Sequence, residues 1–557
     1  MITGIAIENF KGIRDRVEIE LRPITLLFGP NSAGKSTILH AIHYAREIFE
    51  RRNLDPDHTL SGGKNTDLGG FQSFVHSKNL EQPIRLSFRV NMRERDEDYF
   101  EPLNAIHEFL EFDRWTPAIM DAFGAFSFAE TTVSIAWSEQ HNRPYISSCE
   151  IKGDNEPFAT IISDPDARRV TLTLDTSHPS LSTLRGWAGD DADLEGNIEQ
   201  VADVFENPDR SCLAECLPFF RQLCLTADDG AFFLHDLSDA LPTSNQTIPF
   251  ALRPHEDITL EDKFPNLSSA RRFGMDMIEG LSRLVIMPIQ EVSNFLTRFR
   301  YLGPLRETPP RNFQPPRFSD PLRWSSGLGA WDELQNGSDS FVEDVGNWLG
   351  DEDKLNSGYR IERRHYIEVD LADPLILQLL NGRAFDEADP EVRLHLDDFL
   401  SQTRLVITSQ DSDLTFRPHD VGIGISQVVP VVATALHGEK RLLAIEQPEL
   451  HLHPKLQAEL TDMFIESALG ERQHVIVLET HSELIPLRLM RRIRETLEGN
   501  TSNTRPKINS TDVAIHYIET FKGTTVSTHL ELSRKGQLLD PWPDGFFEEG
   551  FRERFAD

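Results

Sequence analysis

Residues 24–37, ITLLFGPNSAGKST, constrain this chain more than any other stretch. A short apolar run enters a glycine-rich turn, and amphipathic sequence follows from about Lys35 to Glu50. Strand, loop and helix in that order, with Gly29, Gly34, Lys35 and Ser36 in the spacing G-x-x-x-x-G-K-[ST], predict a phosphate-binding loop in an α/β fold. The glycines let backbone N–H groups turn inward around phosphate oxygens, and the helix amino end adds partial positive charge. Lys35 then reaches the terminal phosphates, and the Ser36 hydroxyl ligates Mg2+. Gly29, Asn31, Gly34, Lys35, Ser36 and Thr37 are therefore candidates for nucleotide binding. A purely structural glycine turn is the alternative, and the flanking strand and helix disfavour it.

The rest of the chain divides by pattern. Alternating runs at residues 2–9 and 17–21 join the strand at 24–28 in an amino-terminal lobe, residues 1–90. Residues 91–400 lose regular alternation and carry acidic stretches such as ERDEDYFE, which we read as a large, mostly helical inserted arm packed as a separate lobe. Strand and helix alternation returns over 401–535, where LLAIE (442–446) and HVIVLE (474–479) read as buried strands, and 536–557 form a tail. The expectation is a head built from both ends of the chain.

A net charge of −34 excludes a protein that coats nucleic acid or anionic membrane with its whole surface. The apolar runs fall far short of the roughly 20 residues that span a bilayer, and the amino terminus does not resemble a secretory signal. The expected location is cytoplasmic. Cys149, Cys212, Cys216 and Cys224 are expected to be buried as small hydrophobes.

A second chemical feature is LLAIEQPELHLHP. Its apolar strand ends in Glu446, which delivers a carboxylate to where hydrated Mg2+ would sit; a strand ending in a solvated turn is the bland alternative. His451, His453 and His481 tempt a metal reading, but they fit a nucleotide site better. Residues 271–323 hold nine Arg against five Asp or Glu. Arg306 in that stretch is the best candidate for a local anion contact, and the segment 271–323 as a whole is the candidate for contact with DNA, with an internal ion-pair network as the competing reading. Arg488, Arg491 and Arg492 on one helical face carry the same ambiguity.

These motifs resemble the ABC-type AAA ATPases of the RecF, SMC and OLD kind, and especially bacterial defence-type members ending in a segment like WPDGFFEEGFRERF. The resemblance spans both ends of the chain. It implies that NFKGI, residues 9–13, is the opening strand and turn with Lys11 near the nucleotide, and that Gln72 in LGGFQSFVH is the Q-loop residue. GIGISQ at 422–427 resembles the signature motif, in which Gly424, Ser426 and Gln427 cap the partner subunit's ATP. Glu446 matches the Walker B acid, with Mg2+ held by Ser36 and Glu446 partly through water. His453 falls at the D-loop aspartate, and His481 in LETHSE at the switch histidine. Gln447 stands where many relatives place a catalytic glutamate, so either Gln447 or Glu449 assists the attacking water.

The implied function is an ATPase that closes head to tail as a homodimer or higher oligomer around ATP and Mg2+, turns over slowly, and gates DNA or an effector. The resemblance implies antiphage defence or DNA maintenance. No fused Toprim nuclease is expected, so a nuclease would be a separate subunit. An ATP-holding scaffold with little hydrolysis is the alternative, favoured by Gln447. The ATPase subunit of a membrane transporter is a third reading, which the long arm disfavours.

Overall fold

The computed structural model describes residues 2–63, 66–93, 126–179, 213–243, 247–254, 267–318, 320–382, 401–412, 414–438, 440–500 and 506–543. Cys212, Asp413 and most of the WPDGFFEEGFRERF tail lie outside these residues, as do the side chains of Cys216, Arg271, Arg272 and Arg283. Cys149 and Cys224 are buried thiols, as expected.

The central sheet has six strands in the order Arg300–Leu302, Leu442–Glu446, Val475–Glu479, Ile24–Phe28, Val513–Phe521 and Thr524–Leu530. The first five run parallel and the last is antiparallel at the edge. Sequence from both ends of the chain therefore shares one sheet, the α/β head expected from the phosphate-loop unit. The strands Ile24–Phe28, Leu442–Glu446 and Val475–Glu479 are buried at every position and apolar except at Thr25 and the terminal Glu446 and Glu479, because both faces are covered. Strand periodicity sorts them into two cores: Leu27, Leu442, Ala444, Val475 and Val477 face one, while Leu26, Leu443, Ile445, Ile476 and Leu478 face the other.

Helix Lys35–Arg51 follows the glycine loop and buries Ile38, Leu39, Ile42, Ala45 and Ile48, one stripe at helical spacing. It packs against helix Leu267–Thr297. Helix Ile423–Leu436 is apolar almost all round, and residues Ile425 to Leu436 are buried.

An eight-stranded antiparallel sheet covers the first core, in the order Val17–Glu20, Ile2–Glu8, Ile84–Asn91, Phe128–Ser138, Arg143–Gly153, Glu156–Ser163, Val170–Leu174, Phe232–Leu234. The inserted segment thus differs from expectation in its first half. Residues 128–174 continue the amino-terminal sheet instead of leaving it, through the pairing of Ile84–Asn91 with Phe128–Ser138, and they share its core. Helices dominate only later, at Leu267–Thr297, Leu328–Asn336 and Asp339–Gly350. The strand Arg300–Leu302 then returns the chain to the central sheet beside Leu442–Glu446. Among the described residues no helix is long and apolar enough to cross a membrane.

Candidate functional site

The site lies where the strands of the central sheet end. Gly29 has φ +144° and Gly34 φ +105°, values that L side chains rarely adopt. Neither has room for a side chain: a Cβ on Gly29 would lie 1.9 Å from the Ile518 carbonyl oxygen, and one on Gly34 would lie 2.4 Å from Thr525 Oγ1. Asn31 is exposed on the loop. Lys35 is only 3 % exposed, and its ammonium donates to the carbonyls of Gly29 (3.0 Å) and Pro30 (2.9 Å). Burial lowers its pKa, opposed by the carboxylates of Glu479 and Glu446. Thr37 stands in the first turn of the helix, its N–H bonded to Gly34 O.

Two carboxylates face this lysine. Glu446 and Glu479 are register partners at the ends of adjacent parallel strands, 6 % and 5 % exposed. The Ser36 hydroxyl donates to Glu479 Oε2 at 3.0 Å, with Glu446 Oε2 at 3.5 Å, and Tyr301 OH donates to Glu446 Oε1 at 2.8 Å. Burial first, then the neighbouring Glu479 carboxylate, push the Glu446 carboxyl up to about 7. Burial raises Glu479 as well, against the pull of Lys35. Two buried like charges side by side hold a proton between them unless a cation takes its place. Hard oxygen donors in this number suit Mg2+, which binds through one or two carboxylates and completes its shell with water and phosphate oxygens. Among the described residues no group of three or more His, Cys, Asp or Glu side chains forms a metal site, so the three histidines do not make one.

The turn after Glu446 is held from behind. Gln447 has φ +44°, its N–H donates to Glu479 O at 2.7 Å, and Arg306 Nη2 donates to the carbonyls of Glu446 (2.7 Å) and Gln447 (3.1 Å). Glu449 Oε1 accepts the His481 N–H at 2.7 Å, while its Oε2 is buried without a hydrogen-bond partner among the described residues. The His481 ring has its pKa lowered by burial and by the charge of Lys35. His453 is exposed and caps helix Pro454–Leu469, its Nδ1 accepting the Lys455 N–H.

The signature segment opens helix Ile423–Leu436 behind the same turn. A Cβ on Gly424 would lie 3.0 Å from His451 O, so a close backbone approach exists there. Gln427 Nε2 donates to Arg306 O at 2.7 Å, and Ser426 Oγ to Ile423 O at 3.0 Å. No hydrogen bond among the described residues joins Ser426 to the phosphate loop.

Arg306 corrects one expectation. It is 4 % exposed and holds backbone carbonyls, so it is part of the interior rather than a surface anion contact. Burial lowers its pKa to about 10. Other arginines of that segment are engaged internally: Arg300 stacks on Trp324, Arg311 pairs with Asp420 and Arg323 with Asp332. Lys11 has φ +49° and its ammonium lies 2.8 Å from His40 Nδ1 on the phosphate-loop helix; burial lowers it to about 8. Its N–H donates to Phe74 O, at the end of the short helix Phe71–Phe74 that carries Gln72, whose side chain is exposed.

Two site residues escaped the sequence reading. Glu479 was legible, since two apolar runs, LLAIE and HVIVLE, end alike in glutamate. Tyr301 was not, because a three-residue strand has no readable period.

Residues 286–488 match the family described as "AAA domain, putative AbiEii toxin, Type IV TA system", and residues 1–104 match "AAA ATPase domain". Residues 508–554 match a family described as a protein of unknown function, DUF3696. A DNA replication and repair protein RecF from Chloroflexus aggregans is 30% identical over 128 residues, 22% of this chain and 32% of that protein. The chain thus spans about a third of the length of that curated relative. A solved SMC head bound to the C-winged helix domain of ScpA is similar at 10% identity and TM-score 0.33, covering 96% of this chain and 98% of that one. The SMC head domain from Thermotoga maritima is similar at 7% identity and TM-score 0.33, covering 95% and 99%.

Proposed function

We propose, for a chain whose residues 1–104 and 286–488 carry AAA-type ATPase segments, that it binds ATP with Mg2+ and hydrolyses it slowly as a head-to-tail dimer. The observation that carries this reading is the buried Glu446–Glu479 pair facing Lys35 and Ser36 at the mouth of a glycine loop. Lys35 exchanges the carbonyls of Gly29 and Pro30 for the terminal phosphates, and loop N–H groups take the remaining phosphate oxygens. Ser36, Glu446 and Glu479 would hold Mg2+, which would supply charge neutralisation for the phosphoryl group. Gln447 orients the attacking water but, as an amide, cannot take its proton; Glu449 is the nearby carboxylate that can. His481, kept neutral by burial and by Lys35, is suited to hydrogen-bond the terminal phosphate.

In the dimer, Gly424, Ser426 and Gln427 of one protomer complete the phosphate shell of the other. Mixing an excess of Lys35→Ala protein with Ser426→Arg protein tests this. One of the two sites in a mixed dimer is intact, so ATPase activity returns on mixing. Verified mixed dimers without recovered activity overturn the composite site.

The cycle passes its change of shape to DNA or to a separate effector such as a nuclease, in antiphage defence or DNA maintenance. The relative named for DNA replication and repair supports the first target, and the family described by a toxin–antitoxin system supports the defence setting. An ATP-holding scaffold is the second reading, favoured by the Gln447 amide; multiple turnovers per site separate the two.

A further inference from the structure

The hairpin of Val513–Phe521 and Thr524–Leu530 meets the phosphate loop at three backbone positions, and the expected motifs do not include it. Ile518 carbonyl lies against Gly29, Thr525 Oγ1 donates to Ala33 O at 3.1 Å, and the Thr525 side chain is seated on Gly34. Thr525 is itself fixed. It is 4 % exposed, its N–H donates to Gly12 O at 2.9 Å, and its turn, Lys522–Gly523, has φ +49° and +82°. A two-residue turn with both φ positive sets hairpin register, here placing Thr525 opposite Thr520.

We propose that Thr525 is a positioning residue for the phosphate loop: its hydroxyl orients the Ala33–Gly34 peptide so that the Gly34 N–H faces bound phosphate. The inference rests on the loop being an ATP site. A trans peptide is planar, with its C=O and N–H pointing in opposite directions. Holding the Ala33 carbonyl on the hairpin side therefore turns the Gly34 N–H to the other side, toward the cradle. At φ +105° with no side chain, Gly34 has little conformational preference of its own. Thr525 is also stiff at χ1, so one rotamer both donates the hydrogen bond and packs its methyl on Gly34. This gives the start of the carboxy-terminal segment of unknown function, residues 508–554, a part in nucleotide binding.

The test compares wild type, Thr525→Val, Thr525→Ser and Lys35→Ala by equilibrium titration with ATP and Mg2+ and by steady-state hydrolysis. Thr525→Val keeps the shape and removes the donor; its ATP Kd and KM rise roughly threefold to tenfold, the range of one net hydrogen bond, with kcat little changed. Thr525→Ser keeps the donor and stays within about twofold of wild type. An unchanged ATP affinity in Thr525→Val, or a Thr525→Ser defect as large, overturns the inference. A lowered kcat at constant KM also does so, since it marks loss of active protein rather than of loop geometry. If Thr525→Val is insoluble, Thr525→Ala supplies the donor-free arm. Wild-type affinity in Lys35→Ala instead defeats the ATP-site reading itself.

Discussion

The helix Leu484–Leu497 and the strand ends at Glu446 and Glu479 handle charge in opposite ways. On the helix, every arginine singled out in the sequence has an acidic partner: Arg488 with Glu459 at 2.6 Å, Arg491 with Glu495 at 2.7 Å, Arg492 with Asp462 and Glu495 at 2.5 Å. At the strand ends, two carboxylates stand together in the interior: burial and then the Glu479 charge raise Glu446, while burial raises Glu479 against the pull of Lys35. Matched charges complete an architecture by themselves. The like charges kept side by side away from water are offset only in part by the Lys35 ammonium, 3.9 Å from Glu479, and such pairs concentrate at functional sites.

The sharpest way to break the comparison is at Glu446. Glu446→Gln removes one carboxylate while leaving Oε1 as an acceptor for Tyr301. Single-turnover ATP hydrolysis is expected to fall by about a hundredfold or more, as when one preorganised electrostatic group is lost. The folded protein should survive, because the change relieves a repulsion. Hydrolysis at wild-type rate in folded Glu446→Gln protein would remove the pair from the chemistry.

Next in size is the assignment of the base. Gln447→Glu is expected to raise single-turnover hydrolysis by roughly tenfold, a modest share of what a positioned general base supplies. If that change does nothing while Glu449→Gln abolishes hydrolysis and spares ATP binding, the base is Glu449. Its unpartnered Oε2 gives that outcome a structural footing.

How much of this was legible follows from where the information resides. The phosphate loop could be read because glycine spacing, Lys35 and the flanking elements are contiguous. The strands ending in Glu446 and Glu479 could be read because burial on both faces forces continuous apolar runs. The sheet formed by residues 128–174 was harder. Its strands, such as FAETTVSIAWS, mix apolar with Thr and Ser, and only pairing with Ile84–Asn91 assigns them to the amino-terminal lobe. Arg306 looked like a surface charge because sequence cannot show that two backbone carbonyls await it 140 residues away. Thr525 escaped for the same reason, its partners Gly12 and Ala33 lying at the other end of the chain.

A pH series sharpens the comparison at the strand ends. The Glu446 pKa is raised in the folded protein from 4.5 to about 7. The stabilisation linked to its proton is therefore complete below pH 4.5 and is lost as pH rises through about 7. Metal-free protein should accordingly melt lower at pH 8 than at pH 6 from this pair's contribution, and Glu479→Gln should flatten that slope. Mg2+ bound at the pair as proposed would have to displace that proton, so its affinity should rise by about tenfold per pH unit below the folded pKa and level off above it. A Mg2+ affinity independent of pH between 5 and 8 means the pair holds no proton to displace.

The smallest effects are expected on the helix, where they test the other half of the comparison. Arg492 and Asp462 are 13% and 7% exposed, and hydrogen bonding to Asp462, with burial opposing, raises the Arg492 pKa. Arg492→Ala removes the short ion pair to Asp462 and keeps the longer contact of Asp462 with Arg488 at 3.7 Å, so a loss of about 1 to 2 kcal/mol of stability is expected, reduced from the fully buried case by partial solvation. Arg491 is 61% exposed and pairs with Glu495, one turn along its own helix. Arg491→Ala should therefore cost less than about 0.5 kcal/mol. Denaturant melts measure both, and an ATP titration on each variant is the control. Unaltered ATP affinity in the two variants fits a helix whose charges serve one another. A loss of ATP affinity in Arg491→Ala, where little stability is at stake, would show that this face serves a ligand after all, and the contrast with the strand ends would fail.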